Sequence, residues 1–89
     1  MGVGDNSGQG TTKILSLGTG VNTINANNIR IGEFSSNRSS GTIDFQDPLN
    51  GTLTIRSQTG AAATANLTLV NTSNTGGNNH TGRLLMAGH

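Results

Sequence analysis

The sequence predicts an all-β protein, a three-sided parallel β-solenoid of about three coils. Three observations predict it: an internal repeat, short runs that alternate apolar and polar residues, and a composition unsuited to helices. A shift of 28 residues superposes apolar residues along the first half of the chain. The superposed pairs are Val3 on Ile31, Leu15 on Ile43, Leu17 on Phe45 and, with three further residues inserted, Ile24 on Ile55.

The composition limits both the core and the possible partners. Of 89 residues, 30% are hydrophobic, 2% aromatic and 10% charged, so the core must be a thin seam of aliphatic side chains. The remainder is rich in Asn, Thr, Ser and Gly, which favour turns and strands over helices. A net charge of +1 with scattered basic residues argues against nucleic acid or anionic lipid as a partner.

The alternating runs are separated by turn-forming residues. The first coil, residues 1–28, has runs near Val3, at 15–17 and at 22–25, with turns at 18–20 and 27–28. The second, 29–64, has runs at 29–31, 42–45 and 53–56, with a turn at 47–51. The third, 65–89, has runs at 67–69 and 84–86 and lacks its third side. We interpret residues 1–89 as one module.

Strand alternation predicts which side chains stack in the core, because residues two apart share a face. The predicted stacking core is Val3, Leu15, Leu17, Ile24, Ile29, Ile31, Ile43, Phe45, Leu53, Ile55, Leu67, Leu69, Leu84 and Met86. We expect asparagines at the turns, including Asn27, Asn28, Asn78 and Asn79, to be turn formers that stack into side-chain amide ladders where the register aligns them.

The alternative architecture is an antiparallel β-sandwich or jelly roll, which also has short strands and frequent turns. Asn50-Gly51 is a good hairpin signal and favours this alternative locally. A sandwich does not require its apolar runs to recur in matching order, however, and this chain repeats them in order. The solenoid is therefore the leading prediction.

Several segments resemble one protein family. They are 17–26, with Leu17-Gly18-Thr19-Gly20; 29–32; 38–43; 51–56; 66–69; and the final Leu84-Leu85-Met86-Ala87-Gly88-His89. The chain resembles the bacterial surface proteins built from autotransporter-associated β-strand repeats. The resemblance implies a right-handed parallel β-helix passenger at the cell surface or outside the cell, with adhesive or structural roles and no general catalytic residues.

The sequence offers few candidates for chemistry. Asp44 and Asp47 could form a carboxylate pair, but a solvent-facing strand residue and a turn residue before Pro48 explain them as well, and with 2% aromatic residues the chain has almost no aromatic side chains to hold a sugar. His80 and His89 lack a second ligand at metal-binding spacing, and we expect His80 to lie in a solvated loop. We therefore predict no catalytic, cofactor or metal site, and no enzyme.

The predicted partner is the chain itself or an adjacent repeat. A stack of three coils is only about 14 Å tall, and neither end carries an obvious cap. We expect end-to-end strand stacking, as a filament subunit or as a repeat of an adhesin passenger, without membrane insertion. The alternative function is a carbohydrate- or surface-binding adhesin module.

Overall fold

The computed structural model describes residues 1–4, 12–32, 40–60, 62–70, 80–86 and 88–89. These residues form eight β-strands and no helix, so no described segment is a helix capable of crossing a membrane. The strands are β1 (Gly2–Val3), β2 (Thr12–Leu17), β3 (Val21–Asn25), β4 (Asn28–Ile31), β5 (Ser40–Phe45), β6 (Thr52–Arg56), β7 (Asn66–Leu69) and β8 (Thr81–Leu84).

Each of the strands β1 to β5 pairs with the strand three places further along the chain. The first sheet has the order β1-β4-β7, the second sheet β2-β5-β8, and the third sheet β3-β6. All five pairs are parallel. We call β1–β3 the first tier, β4–β6 the second tier and β7–β8 the third tier. The described strands therefore contain no antiparallel pair of the kind that a β-sandwich requires.

The register pairs the same residues that the repeat superposes. Val3 lies opposite Ile31 in the first sheet. Ile24 lies opposite Ile55 in the third sheet, where the three inserted residues change the spacing. The second sheet pairs Leu15 with Ile43 and Leu17 with Phe45. The repeat read from the sequence is therefore a tier-to-tier repeat in space.

The core lies between the sheets and is most complete in the second tier. Ile29, Ile31 and Ile43 are fully buried, with 0% exposure. Val3, Leu17 and Ile24 of the first tier are also buried. The partly buried hydrophobic residues packed against this cluster are Leu15, Ala26, Phe45, Leu53, Ile55 and Leu84. Tier stacking thus replaces the large side chains that the chain lacks.

Two predicted core residues remain exposed. Leu67 and Leu69 retain 41% and 48% exposure, although they pair in register with the fully buried Ile29 and Ile31. They belong to the third tier, which has no described strand beyond it and, unlike the first tier with its buried Val3 and Ile24, no strand in the third sheet. Met86 is only half-buried. Burial therefore depends on being covered as well as on side-chain orientation.

The end of each first-sheet strand lies close to the start of a second-sheet strand, a place that we call the corner, and one backbone conformation recurs there in every tier. The residue that follows each strand of the first sheet has a positive φ: 74° at Gly4, 72° at Gly32 and 53° at Val70. Glycine adopts this conformation without strain, whereas a β-branched valine does not. The corner thus has glycine in two tiers and a strained residue in the third.

Candidate functional site: the uncovered strand edges

The outer edge of β6 carries peptide groups that face away from its partner strand. The Thr52 N–H donates to the Gly20 carbonyl at 3.0 Å, and the Arg56 carbonyl accepts from Ala26 N–H at 2.9 Å. In a parallel pair, alternate residues of one strand bond to one neighbour. The peptide groups of the intervening residues, Leu53 and Ile55, therefore face the outer edge of the third sheet.

The equivalent edges of the second tier are occupied in the other two sheets. The Ile31 carbonyl accepts from Val70 N–H at 2.9 Å, and the Ile43 carbonyl accepts from Leu85 N–H at 2.9 Å. In both cases a residue with an inward-facing side chain directs its peptide group to the third tier. Leu53 and Ile55 are the counterparts in β6, and they remain half-buried. Among the described residues, β6 is thus the second-tier strand without a third-tier neighbour.

A groove of roughly 550 Å³ lies beside the C-terminal half of β6. Its lining residues are Thr54, Ile55, Arg56, Gly60, Ala62, Ala63 and Thr64. The Ser57 N–H donates to the Ala63 carbonyl at 3.1 Å, which holds the following loop against the end of the strand. Residues of β6 and of the segment that follows it thus line the groove together.

His89 lies at the start of this edge, a position that the sequence did not indicate. Its ring stacks on Phe45 with centroids 3.8 Å apart and an interplanar angle of 9°. Its Nδ1 lies 2.7 Å from the Gly51 carbonyl oxygen, and its Nε2 lies 3.0 Å from that of Asp47. These contacts fix residue 89 beside Gly51, immediately before β6 begins.

Asp47 is a turn-capping residue. Its Oδ1 accepts hydrogen bonds from the backbone N–H groups of Leu49 and Asn50 at 2.8 and 3.2 Å. Its Oδ2 accepts from Asn50 Nδ2 at 3.0 Å. The Asn50 side chain, followed by the Leu49 N–H, lowers the pKa of the Asp47 carboxyl. This is the local turn chemistry expected of an Asp before proline.

Asp44 and His80 are less exposed than the sequence suggested. Asp44 is half-buried, and its Oδ1 is buried without a hydrogen-bond partner among the described residues. His80 is also half-buried, rather than fully solvated. Within the part of the chain that the structure describes, no three His, Cys, Asp or Glu side chains are grouped to hold a metal ion.

One asparagine pair forms a rung of side-chain amides. Asn66 Nδ2 donates to Asn28 Oδ1 at 3.2 Å, across two residues that are register partners. Asn27 acts differently, because its Oδ1 accepts from the Gln58 N–H at 2.9 Å. Asn78 and Asn79 lie outside the described residues. The rung joins the second and third tiers and is structural.

Comparisons with protein-family models, with curated proteins and with solved structures found no match to this chain.

Proposed function

We propose that this chain is a non-catalytic structural module of an extracellular, three-sided parallel β-solenoid, joined to a neighbouring β-strand segment through an uncovered edge. The carrying observation is the unequal burial of the second tier. Ile31 and Ile43 are fully buried beneath third-tier strands, whereas Ile55 is half-buried at an edge without one. The extracellular location rests on the family resemblance and the Asn/Thr/Ser/Gly-rich composition, and a right-handed coil rests on the resemblance alone.

The occupant best suited to the edge of β6 is an adjacent strand of the same alternating pattern. The carbonyl groups of such a strand would accept hydrogen bonds from the N–H groups of Leu53 and Ile55, and its N–H groups would donate to the carbonyl groups of these two residues. Its inward apolar residues would cover the same two side chains, as β7 and β8 cover their neighbours. An adjacent repeat meets this requirement with main-chain bonding and two aliphatic contacts.

A carbohydrate-binding adhesin module finds less support. Sugar recognition relies on exposed aromatic faces, and Phe45, the described aromatic residue other than histidine, has its ring stacked against His89. No observation on the described surface favours a ligand of this class.

The test is to supply the missing strand. Appending a second copy of residues 51–57 directly after His89 starts the added strand beside Gly51, where His89 lies. We expect the longer chain to unfold at a higher urea concentration and to protect the Leu53 and Ile55 amides from hydrogen exchange, because the added strand pairs with β6.

The matched control carries Ser in place of both Leu53 and Ile55 within the appended copy only, which removes the apolar contacts and keeps the length. It should leave stability close to that of the original chain. If the unmodified extension also leaves stability and amide exchange unchanged, the proposal fails.

A further inference from the structure

The corner between the first and second sheets contains glycines wherever one tier meets the next. A Cβ added to Gly41 would overlap the Val3 carbonyl of the tier below, and one added to Gly82 would overlap the Ile31 carbonyl in the same way. In both cases the added Cβ would lie well under 3.0 Å from the carbonyl oxygen, which is closer than real Cβ atoms approach other heavy atoms. The second sheet therefore needs glycine at this register position in each tier that lies on another.

The positive-φ residues of the corner also need to be glycine, but because of contacts with the tier above. A Cβ on Gly4 would overlap the Ser40 carbonyl, and a Cβ on Gly32 would overlap the Thr81 carbonyl. Ser40 and Thr81 are themselves register partners. Each tier that has another tier above it thus needs glycine at its corner.

The two outward-facing positions of the stack carry larger residues. Lys13 is the register partner of Gly41 and stands in the first tier, where the glycine would face a tier below. Val70 follows β7 and occupies the corner of the third tier, where Gly4 and Gly32 occupy the other two. A larger residue thus replaces glycine on the outer side of the first tier and on the outer side of the third tier, where a further tier would have to stack.

We infer that Lys13 and Val70 block the two ends of the stack against copies of this chain. If a second copy added its first tier above the third tier, its Lys13 Cβ would overlap the Leu69 carbonyl. The Val70 Cβ would at the same time overlap the Thr12 carbonyl of the added copy. Both overlaps follow from repeating the observed tier-to-tier register once more.

This inference goes beyond the proposed function and limits it. The edge of β6 lies in the third sheet, away from the blocked corner, so a single strand can pair there. Whole tiers of identical copies cannot continue the stack in register. The chain therefore takes a neighbouring strand without polymerising through its ends.

The test is sedimentation velocity of the full chain with both positions changed to glycine, Lys13→Gly with Val70→Gly. We expect this variant to self-associate at least about tenfold more tightly than the wild-type chain, and electron microscopy to show elongated particles. The matched control is Lys13→Ala with Val70→Ala, which removes the charge and the bulk but keeps each Cβ. It should sediment like the wild-type chain.

Three outcomes overturn the inference: the glycine variant sediments like the wild type, the alanine variant associates as strongly as the glycine variant, or the wild-type chain itself forms stacks. None of them bears on the strand-extension test of the proposed function, which is read from stability and amide exchange of a single chain.

A second arm does not depend on β2 folding with glycine at position 13. The Val70→Gly chain, in which glycine relieves a strained backbone, is titrated with synthetic peptides of residues 12–18 carrying Lys13→Gly or Lys13→Ala. Tighter binding of the glycine peptide, measured by fluorescence anisotropy, supports a steric block. Equal binding of the two peptides contradicts it.

Discussion

At the scale of single residues, glycine occupies the corner positions where the backbones of two neighbouring tiers come into close contact. Gly41 stands against the Val3 carbonyl, beside the hydrogen bond in which Gly32 N–H donates to that same carbonyl at 2.9 Å. A side chain there would have to displace backbone that is already bonded. The glycine therefore has a packing role rather than a turn role.

The first prediction compares two glycines. Gly41→Ala should destabilise the chain by about 1–3 kcal/mol or more, because the new Cβ overlaps backbone that cannot rotate away. Gly20→Ala is the control, since a Cβ at Gly20 meets nothing within 4 Å, and its effect should stay within about 0.5 kcal/mol. Urea denaturation monitored by circular dichroism measures both. Equal midpoints for the two variants would contradict the packing argument.

Asn22 shows how one polar side chain organises a corner of the backbone. Its Nδ2 donates to the Gly18 carbonyl at 2.8 Å and to the Thr52 carbonyl of the next tier at 3.1 Å. Its Oδ1 accepts from the Gly18 N–H at 3.0 Å. A single amide thus satisfies the turn after β2 and ties it to β6, which supports the register of the third sheet.

At the scale of elements, the strands differ in stability according to whether they are covered. β4 and β5 lie between two neighbours in their sheets, whereas β6 has one described neighbour, β3. Identical aliphatic side chains should therefore contribute different amounts to stability in different sheets of the same tier.

The second prediction removes one methylene group from each of two isoleucines. Ile43→Val, in β5, should cost about 0.5–1.5 kcal/mol, because its side chain is fully buried. Ile55→Val, in β6, should cost less than about 0.5 kcal/mol, because its side chain is half-buried at the open edge. The two variants are compared by the midpoints of their urea unfolding curves, fitted with a common m-value. A larger loss at Ile55 than at Ile43 would show that the edge is covered in solution.

At the scale of the whole molecule, stability depends on neighbouring tiers rather than on one central core. The three fully buried isoleucines belong to the second tier and are covered by strands on both sides. In such a stack, stability is approximately a sum of tier and interface contributions. Removing the third tier should therefore affect the whole chain.

The third prediction concerns chains shortened at different points. Residues 1–60 alone lack β7 and β8, leave Ile29, Ile31 and Ile43 uncovered, and should show no cooperative thermal transition. Residues 1–86 are the control, because they keep all eight strands and lose only the residue 89 contacts. Thermal melts followed by circular dichroism distinguish the two. A cooperative transition of 1–60 at the temperature of the full chain would contradict tier dependence.

The sequence by itself predicted the first seven strands and the parallel tier-to-tier pairing, whereas the run predicted at 84–86 overlaps β8 (Thr81–Leu84) only at Leu84. It could do so because strand periodicity and the repeat spacing can both be read directly along the chain. The same patterns could not separate Leu67 and Leu69 from Ile29 and Ile31, since all four alternate in the same way and differ only in what covers them.

The sequence alone therefore determined the β-strand repeat and its parallel pairing. The tertiary structure decided which edge of the second tier is open, where His89 lies and what the corner glycines contact. The physical reason is that periodicity is encoded along the chain, whereas burial, edge accessibility and Cβ overlap arise only between segments that are distant in sequence. Lys13 and Val70 have meaning as blocking residues only once the register has aligned them with glycines in the other tiers.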